Sequence, residues 1–167
     1  MTARFCLACG GRLRPAREGG RRRSRCVRCG WIFYRNPVPA AVGLVVHRGR
    51  VLLTLRARPP FARTWDLPGG FLEEGETPEA GLRRELREEL GMRVRRARLA
   101  GFGLDRYGPT GFPILVMIYR VVPASTRVAP ADDVAAARWF ERDRLPFGRI
   151  AFAGVRRALR VWARGGS

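Results

Sequence analysis

Lysine and glutamine are absent from this 167-residue sequence, which also has a single asparagine (Asn36), a single histidine (His47) and three serines. Without lysine, neither a P-loop nor a Schiff-base mechanism can operate in its usual form. The serines, at positions 24, 125 and 167, do not lie in a nucleophile-elbow motif, so a Ser-His-Asp arrangement is not expected. His47 falls in a predicted strand, where we expect it to be exposed. These absences leave carboxylates and metal ions as the main sources of chemistry.

Long apolar runs are missing as well. The longest, AAVGLVV at residues 40–46, is far too short to span a bilayer. The N-terminal sequence MTARFCLACGG has no apolar core of the length that a signal peptide requires. We therefore expect a cytoplasmic protein with no membrane partner. The length suits one ordinary domain with a small appendage.

Basic residues are in large excess, with 33 arginines, 14 carboxylates and a formal net charge of +19. Arginine-rich surfaces bind phosphates and release counterions, so the charge raises the hypothesis of nucleic-acid binding. The absence of lysine and glutamine instead favours a bias toward GC-rich codons, which raises arginine content without selection for binding. Nucleic acid stays an alternative partner that we do not favour, and its candidate contacts are Arg21, Arg22, Arg23 and Arg25. In either case the charge would steer anionic substrates toward the protein.

The four cysteines form two pairs, Cys6-x2-Cys9 and Cys26-x2-Cys29, separated by sixteen residues. Disulfides are not expected in a reducing compartment, and this spacing is typical of a four-cysteine zinc site. Residues 1–35 are therefore predicted to be a zinc ribbon, whose two knuckles are joined by an arginine-rich loop, REGGRRRSR, and residues 36–167 a second domain. Zn2+ would supply folding energy that so small a core lacks, and four thiolates leave it no open position for catalysis. The alternative is four buried cysteines without a metal.

The second domain alternates predicted strands and helices, which indicates an α/β or α+β fold. AAVGLVVHRGRVLLTLRARP predicts two strands joined by a turn at Arg48-Gly49. Thr77 and Pro78 suit the start of a helix, leucines at 82, 86 and 90 give it a buried stripe, and Gly91 suits its end. Further strands are predicted in RVRRARLAGFGL, FPILVMIYRVV and AARWF, and an amphipathic helix in GVRRALRVWARG.

Three glutamates of the predicted helix, Glu85, Glu88 and Glu89, lie on one face, away from the leucines. Like charges three or four residues apart repel at about 0.2–0.5 kcal/mol per pair. Either neighbouring arginines neutralise these carboxylates, as Arg84 and Glu88 at i,i+4 would allow, or the carboxylates bind a hard cation such as Mg2+ or Mn2+. The helix by itself leaves both hypotheses open.

The residues around this helix favour the metal hypothesis. From Gly70 the chain has five residues, Glu76, seven residues, and then Arg84-Glu85-Leu86-x-Glu88-Glu89-x-Gly91-Met92. This pattern resembles the Nudix box over residues 70–92, with Met92 where the family has a branched aliphatic residue. WDLPGG before the box and ARWFERDRLP near the C-terminus also resemble Nudix domains. Together with the zinc ribbon, the resemblance extends over nearly the whole chain.

The resemblance implies an α/β/α sandwich around a mixed sheet and the hydrolysis of nucleoside diphosphates linked to another moiety. It implies that Glu85, Glu88 and Glu89, with the carbonyl oxygen of Gly70, hold catalytic Mg2+ or Mn2+. It also implies that Arg84 orients Glu85, while Glu76 braces the loop before the helix. The general base stays open among Glu88, Glu89, Asp132 and Asp133, because the family places this residue variably.

The substrate is less well defined. Zinc-ribbon members of the family that hydrolyse NADH carry an SQPWPFP-type array after the box, and nothing in RRARLAGFGLDRYGPTGFPILVMIYR matches it. An ADP-ribose-like substrate is therefore favoured, with NAD(H) as the alternative. Trp65, Phe71 and Tyr107 could stack on a nucleobase, although we expect core packing for each.

A different class of function is a non-catalytic nucleic-acid-binding or regulatory protein on a Nudix scaffold. The complete set of acidic box positions argues against this class, because a scaffold has no need to keep them. The sequence does not fix the oligomeric state and leaves a homodimer open.

Overall fold

The computed structural model describes residues 3–165, which fall into two compact units, the first ending at Pro37 and the second beginning at Val38. The sequence predicted this boundary after residue 35. No helix in the described residues is long and apolar enough to cross a membrane.

The first unit contains a three-stranded antiparallel sheet in the order β1-β2-β3, formed by Leu13–Glu18, Arg21–Cys26 and Ile32–Phe33. The predicted arginine-rich loop is wrong, because this segment is a hairpin that turns at Gly19-Gly20, both at positive φ. Apolar-polar alternation, the usual strand signal, is hidden where nearly every residue is arginine. Since one cysteine turn precedes β1 and the other follows β2, the antiparallel pairing brings the two turns together.

The second unit contains a mixed sheet. Its long strands follow the order β10-β5-β4-β9-β8, with short β6 on β5 and short β7 on β4. Strands β4 and β9 run parallel and the other pairs antiparallel. The strands are Val38–His47 (β4), Arg50–Arg56 (β5), Trp65–Asp66 (β6), Gly69–Phe71 (β7), Val94–Tyr107 (β8), Phe112–Pro123 (β9) and Val134–Phe140 (β10).

Two α-helices accompany this sheet, α1 (Pro78–Leu90) and α2 (Ala153–Ala163). The predicted bounds of α1 are confirmed: Thr77 Oγ1 accepts a hydrogen bond from Ala80 N, and Gly91 ends the helix in the left-handed region with φ 62°. The predicted turn between β4 and β5 is also confirmed, with Arg48 and Gly49 both at positive φ. His47, expected to be exposed, is instead half-buried with its ring 6.2 Å from that of Trp139.

The two helices cover opposite faces of the sheet, and the side chains of each strand alternate between these faces. On β4, Val42 and Leu44 pack on the α2 side, and Ala41 and Val45 pack on the α1 side. The leucine stripe of α1 is fully buried, and α2 buries Val155, Leu159 and Trp162. The predicted α/β/α sandwich with a mixed sheet is therefore confirmed.

The sheet opens between β4 and β5. These strands pair only beside their turn, through Val46↔Val51 and His47↔Arg50. Farther along, β4 pairs with β7 and β5 pairs with β6, so the two short strands fill the gap. Residues from β4, β5, β6 and β7 all line the cavity described next.

Candidate active site

Three glutamates of α1, Glu85, Glu88 and Glu89, divide into two groups. Glu85 and Glu89 line a cavity of about 280 Å3, whereas Glu88 is not among its lining residues and has a side chain that is 51% exposed. Successive helix residues turn by about 100°, so Glu88 lies on the Arg84 side of Glu85 and Glu89 on the other side. The three carboxylates do not form a close cluster: in the described part of the chain, only the four cysteines gather as candidate ligands of one ion.

Arg84 donates hydrogen bonds to three carboxylates, those of Glu76, Glu85 and Glu88. Its Nε and Nη2 each lie 3.0 Å from an oxygen of Glu76, while Nη1 donates to Glu85 Oε1 at 2.8 Å and to Glu88 Oε2 at 3.0 Å. Nη2 also donates to the carbonyl of Phe71 at 3.1 Å. These hydrogen bonds from Arg84 keep the pKa of Glu76 below its usual value. The contacts agree with those that the resemblance implies, and the catalytic roles of the residues stay predictions.

Two glycines form the part of the cavity beside these carboxylates. The amide of Gly69 donates to Glu89 Oε2 at 2.9 Å. Gly69 has φ 131°, and a Cβ there would collide with the carbonyl oxygen of Ala41. A Cβ on Gly70 would lie 2.5 Å from Glu85 Oε1. Position 69 thus requires glycine, while a Cβ at position 70 would force the Glu85 carboxylate to move.

Burial leaves Glu89 with little neutralisation, whereas Glu85 keeps its ion pair with Arg84. Glu89 is 7% exposed, accepts its hydrogen bond from a backbone amide, and makes no ion pair within the described residues. Burial raises the pKa of Glu89 to about 9, and the nearby charges of Glu85, Asp133 and Asp66 add to this effect. Burial also raises the pKa of Glu85, against the opposing effect of Arg84. Carboxylates buried in this way fit a bound cation, which would stabilise their charged form.

Three further lining residues, Arg56, Asp66 and Phe152, were not indicated as functional by the sequence. Arg56, the last residue of β5, directs Nη1 at Asp66 Oδ2 (3.4 Å) and Nη2 at the hydroxyl of Tyr107 (3.1 Å). Asp66 is buried, which raises its pKa to about 7 although the charge of Arg56 opposes the shift. Phe152, beside the start of α2, stacks on Tyr107 with ring centroids 6.0 Å apart. A charged residue at the end of an apolar strand is the one sequence signal that could have indicated Arg56.

Other predicted residues separate into core and cavity. Trp65 is buried with its ring 5.0 Å from that of Phe140, so core packing is confirmed for it. Phe71 and Tyr107 are half-buried and pack against the same core, as expected, and they also line the cavity. Asp132 and Asp133, the candidate bases in the long loop, line it as well. In total six carboxylates and one basic side chain, that of Arg56, line this cavity.

The cysteines of the first unit form a second candidate metal site. Their four Sγ atoms lie within 4.8 Å of one another, with Cys6 to Cys29 at 3.7 Å and Cys9 to Cys26 at 3.6 Å. Zinc–sulfur bonds of about 2.3 Å in tetrahedral geometry put sulfurs about 3.8 Å apart, so the cluster fits zinc.

The two cysteine turns also have the same hydrogen bonds. In each, the amide two residues after the first cysteine donates to that cysteine's Sγ at 3.4 Å, and the glycine four residues after it has positive φ. Such matched turns are consistent with a small zinc ribbon.

The chain belongs to the Nudix family, since the family model for the NUDIX domain matches residues 37–159. It is 33% identical over 162 residues to a protein of Deinococcus radiodurans named NAD-capped RNA hydrolase NudC, covering 93% of this chain and 55% of the relative. It is also 33% identical over 122 residues to an ADP-ribose pyrophosphatase of Methanocaldococcus jannaschii, covering 72% of this chain and 70% of the relative. The chain thus spans only about half the length of the Deinococcus relative.

Solved structures give the same family. A NUDIX hydrolase from Nitrosomonas europaea superimposes with a TM-score of 0.76 at 27% identity, covering 97% of this chain and 91% of the other. A MutT NUDIX hydrolase from Burkholderia pseudomallei gives a TM-score of 0.68 at 30% identity, covering 74% and 96%. This protein is therefore a Nudix hydrolase by family, with a four-cysteine unit before the Nudix domain.

Proposed function

We propose that this protein hydrolyses the pyrophosphate bond of nucleoside diphosphates linked to another moiety, in a reaction that requires Mg2+ or Mn2+. The observation that carries the proposal is one cavity whose lining combines the buried glutamates Glu85 and Glu89 with a single guanidinium, that of Arg56. A substrate with a diphosphate suits this arrangement because one part of it can share cations with the carboxylates while another part contacts the arginine.

Glu85, Glu88 and Glu89, with the carbonyl of Gly70, are the residues that would hold the divalent cation. The cation, when bound, offsets charge on the pyrophosphate oxygens and lowers the pKa of water. Arg84 positions two of these ligands, since one of its nitrogens donates to both Glu85 and Glu88. To act as a ligand, Glu88 must either break its ion pair with Arg84 or contact both Arg84 and the cation.

The chain's own groups would then bind and orient the substrate. Arg56 would donate to a phosphate oxygen, and its present partners, Asp66 and the Tyr107 hydroxyl, would keep the guanidinium in place. Phe71 and Tyr107 give the cavity an apolar wall for the remainder of the substrate. A carboxylate facing the cavity would take the proton from the attacking water, and Asp132 and Asp133 join Glu89 as candidates.

An ADP-ribose-like substrate is favoured, because a relative covered over 70% of its length is named an ADP-ribose pyrophosphatase. NAD(H) is the alternative, and the name of the Deinococcus relative adds an NAD-linked nucleic acid to the substrates worth testing. Zn2+ in the cysteine cluster would be structural, because all four positions of a tetrahedral site are filled by thiolates.

The test is the release of nucleoside monophosphate from a panel of ADP-ribose, NADH and a dinucleoside polyphosphate, with Mg2+ and with Mn2+. Glu85→Gln and Glu89→Gln should each lower turnover of the best substrate by about two to three orders of magnitude. Glu74→Gln is the matched control, because Glu74 is exposed in the loop before α1 and makes no ion pair in the described structure.

Unchanged turnover in both glutamate variants would place the reaction elsewhere. No turnover of any substrate by a folded, metal-supplied protein would favour the non-catalytic scaffold.

A further inference from the structure

The first unit carries far more than its share of the positive charge. Residues 1–37 have ten arginines and one carboxylate, a net charge of +9, whereas residues 38–167 have 23 arginines and 13 carboxylates, a net charge of +10. Zinc bound by four thiolates would lower the net charge of the first unit by two, and the charge would still be large for so short a unit. A compositional bias would spread arginine and carboxylates evenly along the chain, so it does not account for this distribution.

The hairpin places four of these ten arginines, together with the carboxylate of Glu18, on one face of the sheet. Directly paired residues point to the same side, so Arg14 and Arg25, which pair across the strands, share a face with Arg21 and Arg23. Like charges directly opposite each other destabilise a hairpin. The ion pair recorded for the described part of this unit joins Arg25 and Glu18 at 3.6 Å, with both side chains well exposed. Most of the charge on this face is therefore unneutralised, and a polyanion would relieve the repulsion.

An aromatic ring lies beside these arginines. Tyr34, just after β3, is 48% exposed, and the guanidinium of Arg23 lies 5.0 Å from its ring centroid. Arg23 Nη1 also donates to the backbone carbonyl of Tyr34 at 2.7 Å, which holds the Arg23 side chain beside this residue. Exposed aromatic rings beside arginines on a flat sheet are how proteins stack unpaired bases, while paired bases in a duplex are not available for such stacking.

We propose that this face, defined by Arg14, Arg21, Arg23, Arg25 and Tyr34, binds single-stranded nucleic acid with little sequence preference. The exposed arginines contact the phosphates and Tyr34 stacks on a base. The proposal does not rest on the hydrolase activity, because it concerns a surface made entirely by the first unit.

The experiment measures binding of the full-length, zinc-loaded protein to labelled single-stranded RNA, single-stranded DNA and duplex DNA by fluorescence anisotropy over a range of salt. The test variant is Arg14→Ser/Arg21→Ser/Arg25→Ser, which changes exposed side chains and keeps Arg23 in its contacts. The matched control removes the same charge from three exposed arginines of the second unit, Arg95, Arg96 and Arg98. Zinc content and melting temperature confirm that each variant is folded.

Loss of three phosphate contacts should weaken single-strand binding about 100-fold at 0.1 M salt and lower the salt slope by about two, whereas the control should stay within a few-fold. Tyr34→Leu should weaken binding about fivefold or more without changing the salt slope. Comparison of the RNA and DNA arms identifies which single strand is preferred. Equal weakening by the two triple variants, or equally tight binding to duplex DNA, would overturn the proposal. Absence of binding by the wild-type chain would overturn it too.

Discussion

Replacing Glu89 by glutamine should stabilise the metal-free protein although it lowers turnover strongly. Glu89 is buried with a backbone amide as its hydrogen-bond partner, and its pKa rises from 4.5 to about 9 in the fold. Between these two values the unfolded chain ionises the carboxyl and the folded chain keeps it protonated, so stability falls as pH rises. The loss is about 1.4 kcal/mol per pH unit, or about 3 kcal/mol between pH 4.5 and pH 7.

Glutamine removes this penalty, because its amide is neutral at every pH and its oxygen can still accept from Gly69. Thermal unfolding in a chelator that spares the zinc should therefore show Glu89→Gln melting about 5–10 °C above the wild type at pH 7. The gap should shrink toward zero as pH falls to 4.5 and should widen as pH rises toward 9. That pH dependence distinguishes the lost charge from a general packing effect.

Added Mg2+ gives the second half of the assay. The wild type should gain about 2.7 kcal/mol at a hundredfold excess of Mg2+ over its dissociation constant, whereas the variant should gain little. Glu74→Gln, exposed in the preceding loop, should match the wild type in both experiments. A constant melting difference at all pH values would refute the buried-charge argument, and a Mg2+-dependent gain in Glu89→Gln equal to that of the wild type would refute its role as a ligand.

Three further predictions concern other parts of the chain. Cys26→Ser should lower zinc content from about one per chain and reduce stability before chemistry is affected; a zinc-free wild type of unchanged stability would contradict this. Gly81→Ala, normally favourable in a helix by about 1 kcal/mol, should instead destabilise, because its Cβ would lie 2.6 Å from Leu72 Cδ2. Gly148→Ala, with open space around it, is the control in chemical denaturation. Arg56→Lys keeps the charge but loses the planar fork, so KM should rise about tenfold with kcat changing less, and an unchanged KM would remove Arg56 from the substrate site.

Local signals predicted the parts of the fold that local residues determine. The bounds of α1 followed from Thr77, Pro78 and Gly91, because capping depends on neighbours in the chain. The β4–β5 turn followed from Arg48-Gly49 for the same reason. The hairpin of the first unit was missed, since its strands contain few apolar residues and their pairing is set by backbone hydrogen bonds and by the cysteine turns.

The site was predictable only in part. The box pattern indicated Glu85 and Glu89, and both line the cavity. It did not show that Glu88 would pair with Arg84 outside the cavity lining, or that Glu85 would both pair with Arg84 and line the cavity. Arg56 and Phe152 lie outside the box in sequence. The order of strands in the sheet brings Arg56 to the cavity, and the position of α2 brings Phe152 there, and no local pattern reveals either.

The two glycines beside the carboxylates also determine how β7 aligns with β4. Only three residues of each strand pair here, Ala40↔Phe71, Ala41↔Gly70 and Val42↔Gly69, and so short a ladder has little power to choose its own alignment. A slip by one residue would bring either Pro68 or Phe71 into a position where a Cβ collides with backbone or with Glu85. Steric exclusion at Gly69 therefore contributes to selecting the alignment. The same slip would move the amide of Gly69 away from Glu89, so one glycine serves both the strand alignment and the candidate metal site.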